Sequence, residues 1–210
     1  METDRPGSSP PCADLRDLRE HTLASEHVLK DGFLQVWCDE VRLPDGGQAR
    51  REYIRHPGAA VVVPLLQDGR GGWRVVLERQ WRHPLGRAII ELPAGKLDEG
   101  EPHGLCARRE LREETGYTAR EWAYAGVMHP TPAYSTEGIH IWFARDLQPG
   151  ERRLDAGEHL QVFDAGVDEL LQWCRQGLVT DSKTLAAALW LQNALTGAWP
   201  LAWRRDDESL

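Results

Sequence analysis

The sequence is short of several things, and each shortage excludes a class of protein. No apolar run approaches the roughly 18 residues that span a bilayer, so no membrane partner is expected. The N-terminus has no apolar core of the kind a secretory leader carries, which makes the cytoplasm the expected compartment. Cysteine is sparse: Cys12, Cys38, Cys106 and Cys174 are the only four, and their spacing fits neither a disulfide framework nor a thiolate metal site. Free, buried thiols are the expectation. Excess positive charge is also missing, since 25 Lys and Arg face 33 Asp and Glu for a formal net charge of −8. That balance opposes nonspecific binding to nucleic acid, and no basic stripe offsets it. No internal repeat is visible.

What is present fits a globular chain. At 210 residues, 41% hydrophobic and 28% charged, it can bury one full core with a small appendage. Residues 1–24, opening on a Pro-, Ser- and Gly-rich stretch, read as a flexible segment. Residues 25–57 read as strands: Phe33–Val41 alternates, Leu43-Pro44-Asp45-Gly46-Gly47 is a turn, and Gln48–His56 returns. This predicts a small antiparallel sheet ahead of a main domain at 58–200, with 201–210 a polar tail. Within the main domain, Ala59–Leu66 is a continuous apolar run, the pattern of a buried strand. Further strands are expected at Trp73–Trp81, Ala88–Leu92, Trp122–Met128, Gly138–Ala144 and Leu160–Phe163, and helices at Val167–Gln176 and Ser182–Leu195.

The most informative stretch runs from Leu92 to Tyr117. Pro93, Gly95 and Gly100 punctuate its first half. A helix follows, beginning at Asp98 or Glu99 with Glu101 and Pro102 in its first turn, and Gly116 stands where a helix C′ residue belongs. At about 100° per residue, Gly104, Ala107, Leu111 and Thr115 share the packing arc. Glu110, Glu113 and Glu114 share another. Glu110 and Glu114 are like-charged neighbours one turn apart, which weakens a helix by roughly 0.2–0.5 kcal/mol. Glu113 and Glu114 also lie in the last turn, where the helix dipole disfavours anions. A hard divalent cation such as Mg²⁺, which takes carboxylate and phosphate oxygens, would remove both objections.

The spacing in this stretch is Gly95, five residues, Glu101, seven residues, Arg109-Glu110-Leu111, one residue, Glu113-Glu114, one residue, Gly116-Tyr117. It resembles the Nudix box at every fixed position, and the chain resembles the Nudix hydrolases, which cleave nucleoside diphosphates linked to another moiety with Mg²⁺ or Mn²⁺. The resemblance runs from about Val28 to Leu195 and is strongest to the ADP-ribose pyrophosphatase group. It rests on Gln80-Trp81-Arg82 ahead of Glu91-Leu92-Pro93-Ala94-Gly95, on Pro132 sixteen residues after Gly116, on Gly157-Glu158-His159-Leu160, and on the N-terminal strands. Two positions depart from that group: Thr131-Pro132-Ala133 replaces a Ser-Pro-Gly triplet, and Gln161 stands where a Glu is common.

The resemblance implies an α/β fold, a Nudix α/β/α sandwich with a mixed sheet, plus the small N-terminal antiparallel sheet. It implies Glu110 and Glu114 as metal ligands, Glu113 as a further ligand or outer support with a catalytic part, and the Ala94 carbonyl as the non-carboxylate ligand. Arg109 would pair with Glu101 and fix the loop against the helix. Glu158 becomes the candidate general base, and Arg82 the candidate phosphate clamp because its planar fork matches phosphate oxygens. Phe33 and Trp37 become candidates for stacking on the nucleobase, and Pro132 marks the substrate loop. The expected partners are a nucleoside diphosphate sugar and a second copy of the chain in a homodimer. GDP-mannose is the alternative substrate. A Nudix domain that only binds a nucleotide and regulates is the reading from another class, and the retained box carboxylates speak against it.

Overall fold

The computed structural model describes residues 18–30 and 32–206. The chain divides into two units, the first reaching to His56 and including Ala133–Ser135, the second made of Pro57–Pro132 and Thr136 onward. No helix among the described residues is long and apolar enough to cross a membrane.

The first unit is a three-stranded antiparallel sheet in the order β1 (His21–Leu29), β2 (Val36–Arg42), β3 (Gln48–Ile54). The turn at Leu43–Gly47 closes through Gly46 N–H to Leu43 O at 3.0 Å and Leu43 N–H to Gly47 O at 2.8 Å. Cys38 and Val41 are its buried apolar side chains. Ile54 N–H donates to Tyr134 O at 2.8 Å, which ties 133–135 to this sheet. Two expectations change here. β1 begins at His21, inside the stretch read as flexible; it pairs along β2 from His21 to Leu29 yet is exposed along nearly all its length. A strand exposed on both faces has no apolar alternation to reveal it. Phe33 lies outside β2, at a bend, and is 74% exposed; the nearby Gln35 amide donates to Lys30 O and Gly32 O.

The second unit carries a mixed eight-stranded sheet. Its strands are β4 (Ala59–Gln67), β5 (Trp73–Arg82), β6 (Arg87–Glu91), β7 (Ala94–Lys96), β8 (Tyr117–Met128), β9 (Ile139–Pro149), β10 (Leu160–Gly166) and β11 (Arg204–Arg205). The main path is β10-β5-β4-β9-β8-β11, with β6 beside β5 and β7 beside β4. β4 and β9 are parallel, and the other pairs are antiparallel. The run at β4 is apolar without a break because both of its faces are covered. Ala60 and Val62 pack with Cys106, Ala107 and Leu111 of α1 (His103–Thr115) and with Trp122 and Trp142. Ala59, Val61, Val63 and Leu65 pack on the other side with Leu170 of α2 (Val167–Arg175) and Ala187, Ala188 and Leu191 of α3 (Ser182–Leu195). Successive side chains of one strand thus serve two cores, and a fully buried Val is worth about 1.5–3 kcal/mol over an exposed one. The result is the expected α/β/α sandwich.

Two boundaries differ from the pattern. α1 begins at His103, not at Asp98 or Glu99: Pro102 is extended at φ −62°, ψ 135°, and Glu101 N–H closes a turn on Asp98 O at 3.0 Å. The tail read as polar is docked through residue 206. β11 pairs with Trp122 and Glu121 of β8, Asp206 N–H donates to Arg120 O at 2.9 Å, and the Arg108 guanidinium holds both Asp206 O and the Asp206 carboxylate at 2.7 Å.

Candidate active site

The second unit gathers its carboxylates where α1 meets β7. Gly95 of β7 faces Glu110 of α1 so closely that a Cβ on residue 95 would fall 1.9 Å from Glu110 Oε1. Glycine leaves the carboxylate where it stands; a side chain on residue 95 would force the end of Glu110 to turn away. Glu114, one turn further, accepts the Ala94 N–H at 2.9 Å. The helix stops where Gly116, at φ 78°, returns its N–H to Arg112 O; a Cβ there would lie 2.9 Å from Gly150 O.

Arg109 anchors the loop before the helix. Its Nε and Nη2 fork onto the two Glu101 oxygens at 3.0 and 2.9 Å, and Nη2 also reaches Lys96 O at 3.0 Å. Its Nη1 holds Glu110 Oε1 at 2.6 Å and Glu113 Oε2 at 3.2 Å. The guanidinium keeps the Glu101 carboxyl below its ordinary value.

Glu110 and Glu114, expected on an acidic arc of α1, are instead buried, at 8% and 4% exposure. Burial pushes Glu110 up to about 7, with Arg109 opposing and Glu113 and Glu158 adding repulsion. Burial pushes Glu114 well above the usual carboxylate range, and Glu78, Glu110 and Glu158 add to it. No Lys or Arg forms an ion pair with Glu114 among the described residues. Glu113 is half-buried, and its backbone carbonyl accepts Arg153 N–H at 2.9 Å. Glu158 lies on the loop before β10, half-buried, with Gln80 Nε2 3.3 Å from its Oε1.

Arg82 sits beside this cluster, within electrostatic reach of Glu114. Its fork is closed on Glu91 at 2.6 and 2.7 Å. The other cation on Glu91 is the buried Lys183 of α3, which also pairs with Asp181 at 3.1 Å. Asp181 caps α3 through Thr184 N–H at 2.9 Å, and the Thr184 hydroxyl accepts Leu92 N–H at 2.9 Å. The first turn of α3 therefore fixes the strand that leads into the box. Burial alone would raise Glu91, but Arg82 and Lys183 outweigh it and hold its carboxyl below the ordinary value.

Pro132 is exposed in a turn. In the first unit, Trp37 stacks on His27 with ring centroids 4.5 Å apart, and the Arg55 guanidinium lies 3.8 Å from its centroid. Cys38 and Cys106 are buried free thiols, and Cys174 is half-buried. Sequence reasoning missed three residues of the site: Glu78, Asp181 and Lys183. For Glu78 a signal existed, because it directly follows the apolar Val75-Val76-Leu77. The α3 pair had none, since 92 residues separate Lys183 from Glu91.

The donors here are hard oxygens: two buried carboxylates of α1, a third at Glu113, and main-chain carbonyls beside Gly95. They fit a divalent cation of the Mg²⁺ type. A carboxylate oxygen of Glu78, buried without a hydrogen-bond partner, fits a cation in the same way. The side chains are not preassembled, since among the described residues no three such groups converge as a metal cluster; Glu110 is turned onto Arg109 and Glu114 onto Ala94 N–H.

A carboxylate-bearing helix seated against a glycine strand on a mixed sheet defines a Nudix domain. The NUDIX domain model matches residues 55–188, and the chain belongs to that family. A second model, the nucleoside diphosphate sugar hydrolase N-terminal domain, matches residues 20–54. The ADP-ribose pyrophosphatase of Bacillus subtilis (strain 168) is 34% identical over 180 residues, covering 85% of this chain and 95% of that protein. The methanol dehydrogenase activator of Bacillus methanolicus is 34% identical over 175 residues, covering 82% and 92%. A solved structure titled as an ADP compounds hydrolase superposes with a TM-score of 0.76 at 21% identity, over 85% of this chain and 95% of that one, a likeness of fold.

Proposed function

We propose that this Nudix protein hydrolyses the pyrophosphate bond of ADP-ribose or a related nucleoside diphosphate sugar, giving a nucleoside monophosphate and a sugar phosphate. The observation that carries the reading is the burial of Glu110 and Glu114 against the Ala94–Gly95 strand, two neighbouring carboxyl groups for whose charged form the described residues supply only Arg109 as an ion-pair partner. The Bacillus subtilis relative supports the substrate class.

Glu110, Glu114, Glu113 and the Ala94 carbonyl would hold the cation, Mg²⁺ or Mn²⁺. When bound, it neutralises the phosphates and lowers the pKa of water. The chain's own residues do the rest. Arg109 positions Glu110 and Glu113 and locks the loop at Glu101. Glu158, on a loop and half-buried, takes the proton from the attacking water as general base. Arg82 clamps a phosphate, and reaching it requires exchanging one of its two bonds to Glu91. Phe33, which is exposed, and Trp37, whose ring must first part from His27 or Arg55, are the stacking candidates for a base, and Pro132 marks the substrate loop. The protein works in the cytoplasm as a homodimer, because a three-stranded sheet whose first strand is exposed along its length needs a partner surface to be stable.

The test is a panel of nucleoside diphosphate compounds incubated with Mg²⁺ or Mn²⁺ and followed for released nucleoside monophosphate. ADP-ribose is expected to lead. The departures at Thr131-Pro132-Ala133 and Gln161 weaken ADP-ribose against related nucleoside diphosphate sugars, of which GDP-mannose is the nearest alternative, and the same panel separates the two. No nucleoside monophosphate from any compound, or full turnover in excess chelator, would sink the proposal. Light scattering that gives a concentration-independent monomer would remove the dimer.

A further inference from the structure

Glu78 has no place in the machinery described so far, yet the fold has placed it with care. Its neighbours Val75 and Leu77 point into the core shared with α2 and α3, so alternation turns Glu78 to the opposite face of β5. It is 3% exposed, and its Oε1 is buried with no hydrogen-bond partner. Directly across the β5–β6 ladder stands Glu91, and side chains opposite each other in an antiparallel pair lie about 4.5–5.5 Å apart on the same face. Two carboxylates in that relation repel, and Glu91 already holds the nearby cations Arg82 and Lys183. The charges of Glu158, Glu91 and Glu110 act against a charged Glu78, and Lys183 acts for it without outweighing them. Among charged groups, Glu78 is itself the strongest influence on Glu114.

A buried carboxylate with an unmet oxygen is costly, and an aliphatic side chain would fill the same strand position without that cost. Every acid near Glu78 worsens the arrangement, whereas one divalent cation among them relieves it. We propose that Glu78 is a cation-binding carboxylate, added by β5 to the acids of α1. The inference rests on the reading that this site holds a divalent cation, and it assigns to the site a residue that lies outside the box and on another element.

The experiment uses the full chain stripped of metal. Mn²⁺ binding is titrated by the electron paramagnetic resonance of the free ion, and thermal melts are recorded with and without Mn²⁺. Wild type is compared with Glu78→Gln, Glu78→Leu and Glu114→Gln. Glu78→Gln is expected to weaken Mn²⁺ binding tenfold or more, or to reduce the number of ions bound. Its metal-free melting temperature should equal or exceed that of wild type, so the rise produced by Mn²⁺ shrinks. Glu78→Leu should behave alike, which keeps the test open if the amide is poorly tolerated. Wild-type affinity and stoichiometry in Glu78→Gln, with Glu114→Gln impaired, would overturn the inference and leave the proposed function standing. A lower metal-free melting temperature in both Glu78 variants, with Mn²⁺ binding unchanged, would likewise overturn it and make Glu78 structural. If wild type bound no Mn²⁺, the hydrolase reading itself would fall.

Discussion

Two groups of buried carboxylates sit side by side in the main domain and are treated in opposite ways. Glu91 is 2% exposed and is gripped by Arg82 and Lys183, which hold it charged. Glu110, Glu114 and Glu78 are buried almost as deeply, and burial pushes all three above the ordinary carboxylate range. Burying a charge is tolerable when a partner charge is buried with it, and removing one partner leaves the other exposed to the full penalty. The Glu91 group has its partners in the chain. The α1 group has only Arg109, shared with Glu101 and Glu113. The contrast separates a group whose charge is met within the chain from one that is proposed to take a cation.

The largest effect should come from the α1 group. Glu114→Gln is expected to lower turnover by orders of magnitude with the fold intact, measured as nucleoside monophosphate release beside circular dichroism. A Glu114→Gln enzyme of wild-type activity would break the comparison. Next in size, Glu158→Gln should cut kcat by roughly 10²–10⁴-fold, the usual worth of general-base assistance, with little change in KM. Steady-state kinetics showing wild-type kcat would pass the role to another acid, with Glu113 the first to test.

The Glu91 group should respond in stability. Lys183→Met removes one of the two cations from Glu91 and should destabilise the fold by about 1.5–3 kcal/mol, the range for a hydrogen bond to a charged group. Denaturant melts should give the same loss with and without Mg²⁺. Arg82→Ala should lower the melting temperature and raise KM together, because the same guanidinium holds Glu91 and is proposed to clamp phosphate. A rise in KM alone would mean the Glu91 contact contributes nothing to the fold.

The smallest effect is a slope with pH. In the metal-free protein the α1 group keeps protons that the unfolded chain releases at the ordinary carboxylate value. The destabilisation is therefore absent at more acid pH. It grows as pH rises from that value and levels off for each group only above its folded value, about 7 for Glu110. Melting temperature without metal should fall from pH 5 to pH 8. Saturating Mg²⁺ should flatten the slope, since the cation competes with the protons. Scanning fluorimetry across pH, with and without Mg²⁺, checks this; a metal-free melting temperature that rises over the interval would contradict it.

Much of this was legible in the residues, for local reasons. The positions from Gly95 to Tyr117 mark the box because each answers a short-range demand: room for Glu110 at Gly95, a left-handed stop at Gly116, an arginine in reach of Glu101. The unbroken apolar run at Ala59–Leu66 announced a strand covered on both faces. α3 was readable end to end, from Ser182 to Leu195, though not its Asp181 cap. β1 was not readable, because an exposed strand carries no periodic pattern.

Tertiary structure alone decided how deep the acids lie and which of them are paired. On an isolated helix Glu110 and Glu114 would sit in water; packing α1 against β4 and β7 buries them. Lys183 reaches Glu91 across 92 residues of sequence, and Glu78 meets it through the β5–β6 register. Local chemistry sets turns, caps and periodicity over a few residues. Desolvation and charge pairing depend on what the whole fold brings within a few ångströms, so the electrostatics of this site could be read only once the sheet and its helices were assembled.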